Sequence, residues 1–439
     1  MHPRVLIVGT SPYDKQGPAR AFESYFSGWE RDNLIQIFTS PNRPKAGHCG
    51  KLYQVTDAQM LKCWLSHQKR TGRIYMYENL SNIDEPTTIS TEEVSNSFIS
   101  KLYRLGKKKT PMNYLLRGFL WRKKYWCTCE LNKFVEDFRP ECIFLAFSDD
   151  YFILRIALYF AEKYNIPIVS CVGDDYYFNV KKTANPFYWL YKLSYRKLVK
   201  KIFAHGGSAA YIGDKIKDKY NNEFNINGRT VYLTSEILPH QFRAINTKMP
   251  KIIYCGNIRL GRSDSLNDIG IALASINSSY YLDVYSNESD ESVYRVLKEN
   301  PNIRYHGAIP YTQVIKEMEE CDIAVVVEGF DSDDVEITKY SLSTKVADSL
   351  ATGSSVLAYG SKDCGAIDYV QSIGCVTVCT DPKELKDKIR ELINNIGLQQ
   401  SNYAKAMRIV SKNHRIEKST KIFGMVVNEA ITRYKGKYR

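Results

Sequence analysis

The chain has 439 residues, 44% of them hydrophobic and 25% charged, with a formal net charge of +13. That length exceeds one ordinary core and predicts two domains of roughly 200 residues each, while the composition excludes a long disordered chain. The positive excess favours an anionic partner, whether phosphorylated substrate, acidic membrane or nucleic acid.

The first apolar run, RVLIVG (4–9), is too short for a signal peptide and reads as a buried strand. The loop GTSPYDKQGPAR follows. Gly17 and Pro18 let it turn into a helix with Arg20 in the first turn, a place where backbone N–H groups meet an anion. LIQIF (34–38) is a second strand, and ECIFLAF (141–147) leads through FILRIALYFAEKYN to IPIVSCVG (166–173). This β-α-β rhythm belongs to a parallel sheet covered by helices. Asp174 and Asp175 follow the last of these strands, a position suited to substrate contact.

Two segments crowd Lys and Arg among aromatic residues, 101–126 and 187–201. Lys107, Lys108, Lys109, Trp121, Arg122, Lys123 and Lys124 make the first a candidate face for an anionic membrane, ahead of a merely solvated face, with nucleic acid last. No run is long and apolar enough to span a bilayer. Eleven scattered cysteines suit reduced thiols, and Cys127-Cys129 alone make a poor zinc site. His205 and His306 are placed at strand ends and read as hydrogen-bonded structural residues.

The rhythm restarts after Pro250, with strands at KIIYCGN (251–257), YLDVYS, IRYHG, DIAVVVEG, SVLAYG and CVTVC. The expected class is α/β, with two doubly wound Rossmann-like domains facing across a cleft. The expected boundaries are an N-terminal domain over 1–240, a C-terminal domain over 250–400, and a final helical segment over 401–439 that can return to the first domain.

Functional residues should follow the strands. After KIIYCGN, Arg259 and Arg262 flank Gly261, and guanidinium forks suit phosphate. After DIAVVV, Glu328 is expected to accept hydroxyl hydrogens from a sugar. Asp331, Asp333, Asp334 and Glu336 form a solvated loop without an EF-hand pattern. Ser343 fits a helix N-cap, Thr344 and Lys345 its first turn, and Gly353 its end; with Ser341 they form an anion site.

From IIYCGNIRLGR to STKVADSLATGSSVLAYG the chain resembles the retaining GT-B glycosyltransferases of family 4, of the bacterial capsule and exopolysaccharide kind. The helix aligned on Gly353 puts Asp348 where that family carries the second glutamate of a pair spaced by eight, and Tyr340 where it carries the first. Glu328 and Glu336 have the spacing but fall too early, so this is a divergent branch in which Ser343-Thr344-Lys345 takes over part of the motif.

The resemblance implies sugar transfer from a UDP- or GDP-linked donor to a hydroxyl acceptor, with retention and without an obligatory metal or other cofactor. It implies Arg259, Lys345 and Glu328 in catalysis, and Gly256, Asn257, Arg262, Ser341, Ser343, Thr344 and Asp348 around the donor. Gly17, Pro18, Arg20, Asp174 and Asp175 would lie near the acceptor. With a polyprenyl-linked glycan acceptor, the basic-aromatic segments would hold the enzyme at the cytoplasmic face of the membrane. The alternatives are a sugar-nucleotide 2-epimerase of the same architecture and a non-enzymatic basic protein that binds polyanions.

Overall fold

Runs of branched apolar residues bounded by turn formers settle as buried strands, and amphipathic segments between them cover the sheets. The computed structural model describes residues 2–12, 22–44, 48–66, 71–79 and 110–437. Gly17, Pro18, Arg20 and Lys107, Lys108 and Lys109 lie outside the described residues.

The first compact unit comprises Met1–Val231 and Thr420–Arg439. Its strands are β1 (Val5–Val8), β2 (Leu34–Phe38), β3 (Lys51–Gln54), β4 (Arg73–Met76), β5 (Cys142–Ala146), β6 (Ile168–Val172), β7 (Ser208–Tyr211) and β8 (Arg229–Thr230). They lie in the order β4-β3-β2-β1-β5-β6-β7-β8, parallel except for the β3–β4 pair. The helices are α1 (Glu23–Phe26), α2 (Asp57–Ser66), α3 (Pro111–Leu120), α4 (Lys123–Trp126), α5 (Cys129–Phe138), α6 (Tyr151–Tyr164), α7 (Pro186–Gly206) and α8 (Asp214–Phe224).

The second unit, Tyr232–Ser419, carries β9 (Ile252–Cys255), β10 (Leu282–Tyr285), β11 (Ile303–Gly307), β12 (Ile323–Val327), β13 (Ser355–Tyr359) and β14 (Thr377–Cys379). All pairs are parallel, in the order β11-β10-β9-β12-β13-β14. Its helices are α9 (Arg262–Ile276), α10 (Glu291–Glu299), α11 (Tyr311–Glu320), α12 (Ser332–Thr338), α13 (Thr344–Ala351), α14 (Gly365–Ile373), α15 (Leu385–Asn394) and α16 (Ile396–Asn413). The last helix, α17 (Ile416–Lys437), sends Phe423, Val427 and Ile431 into the core of the first unit, where Phe423 meets Phe26 and Phe144 edge-on. Both cores are strand residues facing helix residues, as parallel sheets require. No helix among the described residues is long and apolar enough to cross a membrane.

Between α16 and α17, His414 is buried, with Nδ1 2.8 Å from the Leu233 carbonyl and Nε2 2.8 Å from the Tyr369 hydroxyl. The carbonyl only accepts, so Nδ1 carries the proton and Nε2 accepts from Tyr369. Burial lowers the pKa of this ring to about 4, against a smaller opposing effect of the Leu233 carbonyl. A base with its folded pKa below its unfolded value near 6.5 contributes its full stability above that value and loses it as pH falls toward 4. The contribution is about 3 kcal/mol. Urea midpoints at pH 7.5 and 4.5 should therefore differ more in the wild type than in His414→Gln; equal differences would refute the assignment.

Candidate functional site

Strand β9 has β10 on one side and β12 on the other, so the chain leaves it in one direction and returns to its opposite flank. At such a switch point the loops leaving the carboxyl ends diverge and open a crevice, where open α/β sheets bind ligands. The loop after β9 runs from Gly256 to Gly261, and the loop after β12 begins at Glu328. Gly261, at φ +71°, caps the start of α9 against the backbone of Gly329; a Cβ on Gly329 would stand 2.5 Å from the Leu260 carbonyl oxygen. Only glycines allow two backbones this close. The approach brings Arg262, first residue of α9, to the end of β12.

There the Arg262 guanidinium donates to the Glu328 carboxylate at 2.7 Å and to the Val327 carbonyl at 3.3 Å. Glu328 is only 2% exposed. Burial pushes its carboxyl upward, and the charge and hydrogen bond of Arg262 oppose the shift. The first partner of the Glu328 carboxylate is therefore Arg262, and the side chain lies beneath the surface. Ser265 Oγ closes the arrangement by donating to the Glu328 carbonyl at 2.8 Å.

Lys345, in the first turn of α13, crosses to the same place. Its Nζ donates to the Tyr254 hydroxyl at 3.1 Å, and that hydroxyl donates to the Asn257 carbonyl at 2.5 Å. Gly256 makes the crossing possible, because a Cβ there would stand 1.8 Å from Lys345 Cε and 2.0 Å from Nζ. Burial lowers the Lys345 pKa to about 7; the Arg262 charge adds to the fall and Glu328 opposes it. Arg262 is thus paired with the buried carboxylate, while Lys345, held by Tyr254, lies close enough to feel both charges. Tyr254 is the site residue that sequence reading missed, since it sits inside an apolar strand with no mark of its polar task.

Helix α13 starts as expected. Ser343 is the N-cap and its Oγ accepts from Lys345 N–H at 3.4 Å; Gly353, at φ +83°, follows the other end. The start of α13 adds the partial positive charge of a helix N-terminus beside Lys345. Thr344 is exposed there, and Ser341 N–H turns back to the Thr338 carbonyl at 3.0 Å. Asp348 is buried and accepts from Ser235 Oγ at 2.7 Å, tying α13 to the segment before β9.

Other expected residues stand apart. Arg259 is exposed and its guanidinium is held by Glu288 at 2.6 Å, with Asp290 at 3.7 Å, so Arg262 and not Arg259 joins Lys345. Asn257 serves the loop by accepting from Arg259 N–H at 2.7 Å. In the first unit Asp175 is buried and takes N–H groups from Tyr177, Phe178 and Asn179 at 2.8–3.0 Å and the Tyr220 hydroxyl at 2.8 Å. These four bonds hold its own loop and tie it to α8, whereas Asp174 is exposed and receives the Tyr176 hydroxyl at 3.4 Å.

Trp121 does not face outward: it is 1% exposed, stacks on Phe152 with centroids 4.2 Å apart, and donates to Asp57 at 2.6 Å. The spacing puts it on the inner side of α3, while Arg122, Lys123 and Lys124 are exposed. His205 ends α7 rather than a strand and meets the Tyr434 hydroxyl at 3.1 Å; His306, on β11, stacks on Tyr285 and bonds Asp283 at 2.7 Å.

Two Rossmann-like units of this topology define the GT-B class of fold, whose solved members include nucleotide-sugar glycosyltransferases. No protein-family model matches the chain, and no curated protein matches it in sequence. Among solved structures, HepE of Anabaena in complex with UDP and glucose is similar at a TM-score of 0.57 and 12% identity, covering 97% of this chain and 100% of that one. The sucrose-phosphate synthase of Thermosynechococcus elongatus is similar at 0.58 and 10% identity, covering 99% and 100%. WaaG, a glycosyltransferase involved in lipopolysaccharide biosynthesis, is similar at 0.53 and 11% identity, covering 96% and 99%. At these identities the likeness is one of fold.

Proposed function

We propose that this protein is a glycosyltransferase that moves a sugar from a nucleoside-diphosphate sugar to a hydroxyl acceptor. The observation that carries the reading is the meeting of Arg262, paired with the buried Glu328, and Lys345, held by Tyr254, at the switch point of the second sheet. Arg262, a Lys345 that takes its full charge as the anion arrives, and a helix N-terminus together suit a diphosphate. As the bond from the anomeric carbon to the leaving diphosphate breaks, negative charge grows on the departing oxygen. Preorganised cations stabilise that charge without first having to reorient.

Glu328 and Tyr254 are positioning residues in this reading: one holds Arg262, the other Lys345. The resemblance to retaining family 4 enzymes supports retention of configuration. HepE, solved with UDP and glucose, supports UDP over GDP as the first donor nucleotide to try. WaaG's involvement in lipopolysaccharide biosynthesis supports a lipid-linked glycan acceptor, and with it a place at the cytoplasmic face of the membrane.

The test is a thermal-shift series with UDP, GDP and their glucose conjugates. Ligand at 100 times its dissociation constant stabilises by about 2.7 kcal/mol, a rise of a few degrees in a chain of this size. If no nucleotide or nucleotide sugar raises Tm, the proposal fails.

A further inference from the structure

Helices α3 and α7 lie side by side, with Tyr114 stacked on Tyr191 at 4.7 Å between centroids. Away from that contact both turn large apolar side chains to solvent. On α3 these are Met112, Leu116 and Phe119, recurring at i, i+4 and i+7 as one stripe. On α7 they begin with Phe187 and Trp189 and continue through Leu190 and Leu193, 56% and 63% exposed. Every other helix among the described residues exposes at most two such side chains.

Within the two segments that carry this patch the charge has one sign, and the carboxylates that reach Arg117 of α3, Asp57 and Asp150, are paired with it. Neither helix contains an Asp or Glu, and no acidic residue occurs anywhere in residues 94–129 or 176–213. The outer face of α7 passes from Leu190 and Leu193 to Lys197, Lys200 and Lys201, all exposed. Beyond α3 come the exposed Arg122, Lys123 and Lys124, with the Arg122 guanidinium 3.6 Å from the Phe119 ring centroid. A face meant only for water would mix both signs, and a face meant for a protein core would not be bordered so completely by cations. Apolar side chains protruding from a basic border match a plane of phosphates over acyl chains.

We infer that α3 and α7 form a docking surface for an anionic lipid bilayer. It deepens the reading of a lipid-linked acceptor, yet it is separable from the donor site, which lies in the other compact unit. The surface differs from the one expected of the basic segment alone: Leu116, Phe119, Leu190 and Leu193 enter the acyl boundary, Trp121 does not, and the lysines meet phosphate.

The experiment is co-sedimentation of the full chain with vesicles of phosphatidylcholine alone and with 30% phosphatidylglycerol. The wild type should pellet with the anionic vesicles only, and less so in 0.5 M NaCl. Leu190→Glu/Leu193→Glu, at positions already exposed, should lower partitioning at least about tenfold. Equal pelleting of this variant and the wild type overturns the proposal, as does a wild type that ignores anionic vesicles. So does a wild-type dimer by light scattering that the variant breaks, which would assign the patch to a second copy of the chain. A UDP thermal shift on both proteins separates the two readings. Vesicle binding without a UDP shift removes the donor assignment and leaves this surface; a UDP shift without vesicle binding does the reverse.

Discussion

Replacing Lys345 by methionine should lower sugar transfer by at least about a hundredfold while leaving the fold in place, because removing one preorganised charge partner of a leaving group costs on that order. Methionine keeps the side chain's length over Gly256, so the crossing from α13 to the Tyr254 hydroxyl stays filled. The variant also tests a pH effect. With a free pKa near 7, Lys345 is largely neutral at pH 8.5, and an arriving diphosphate must draw a proton onto it. Nucleotide affinity should therefore be highest near pH 6 and fall about tenfold per pH unit above 7, until the pKa of the bound state is reached. Calorimetry in buffers of different ionisation enthalpy should register proton uptake on binding. In Lys345→Met both the uptake and the fall should vanish; if they persist, another group carries them.

Breaking the Arg262–Glu328 pair should separate stability from binding. Glu328→Met leaves a guanidinium that cannot give up its proton beneath the surface, and should destabilise by about 3–5 kcal/mol. Arg262→Met should cost less, because burial already pushes the Glu328 carboxyl upward and it escapes its charge by protonation. The double variant should regain most of the stability, as apolar replacements of buried ion pairs do. It should nonetheless bind UDP no better than Arg262→Met, since the cation is gone. Denaturant melts of the four proteins, each with and without UDP, give the full cycle. A double variant that binds UDP like the wild type would remove Arg262 from the site.

Much of this arrangement is local in origin and therefore legible in one dimension. The run DIAVVV makes β12, Ser343 caps α13, and Gly353 follows its end, because strand burial and helix capping are decided within a few residues. The alternation of such elements predicts two parallel sheets, and a parallel sheet locates its ligands after its strands. The resemblance to family 4 narrows the candidate region to residues between Ile252 and Gly360.

Choosing among the polar residues of those loops takes distances. Arg259 and Arg262 are three apart and equal in chemistry, yet Glu288 holds one and Glu328 the other. Glu328 and Asp348 both follow the expected placement along the chain, and both turn inward to Arg262 and Ser235. Tyr254 looks like core until Lys345 arrives from ninety-one residues away. Trp121 looks like a membrane anchor until Asp57 takes its N–H.

By itself the sequence determined the long apolar strands, the cap of α13 and the excess of positive charge, since each depends on near neighbours or on composition, while the short strands β3, β4, β7 and β8 came only with the structure. Only the tertiary structure decided which cations remain for a ligand and which apolar side chains remain for a lipid surface. Long-range pairing assigns every buried charge its partner, and what is left over at a strand end or on a helix face is a property of the packed molecule.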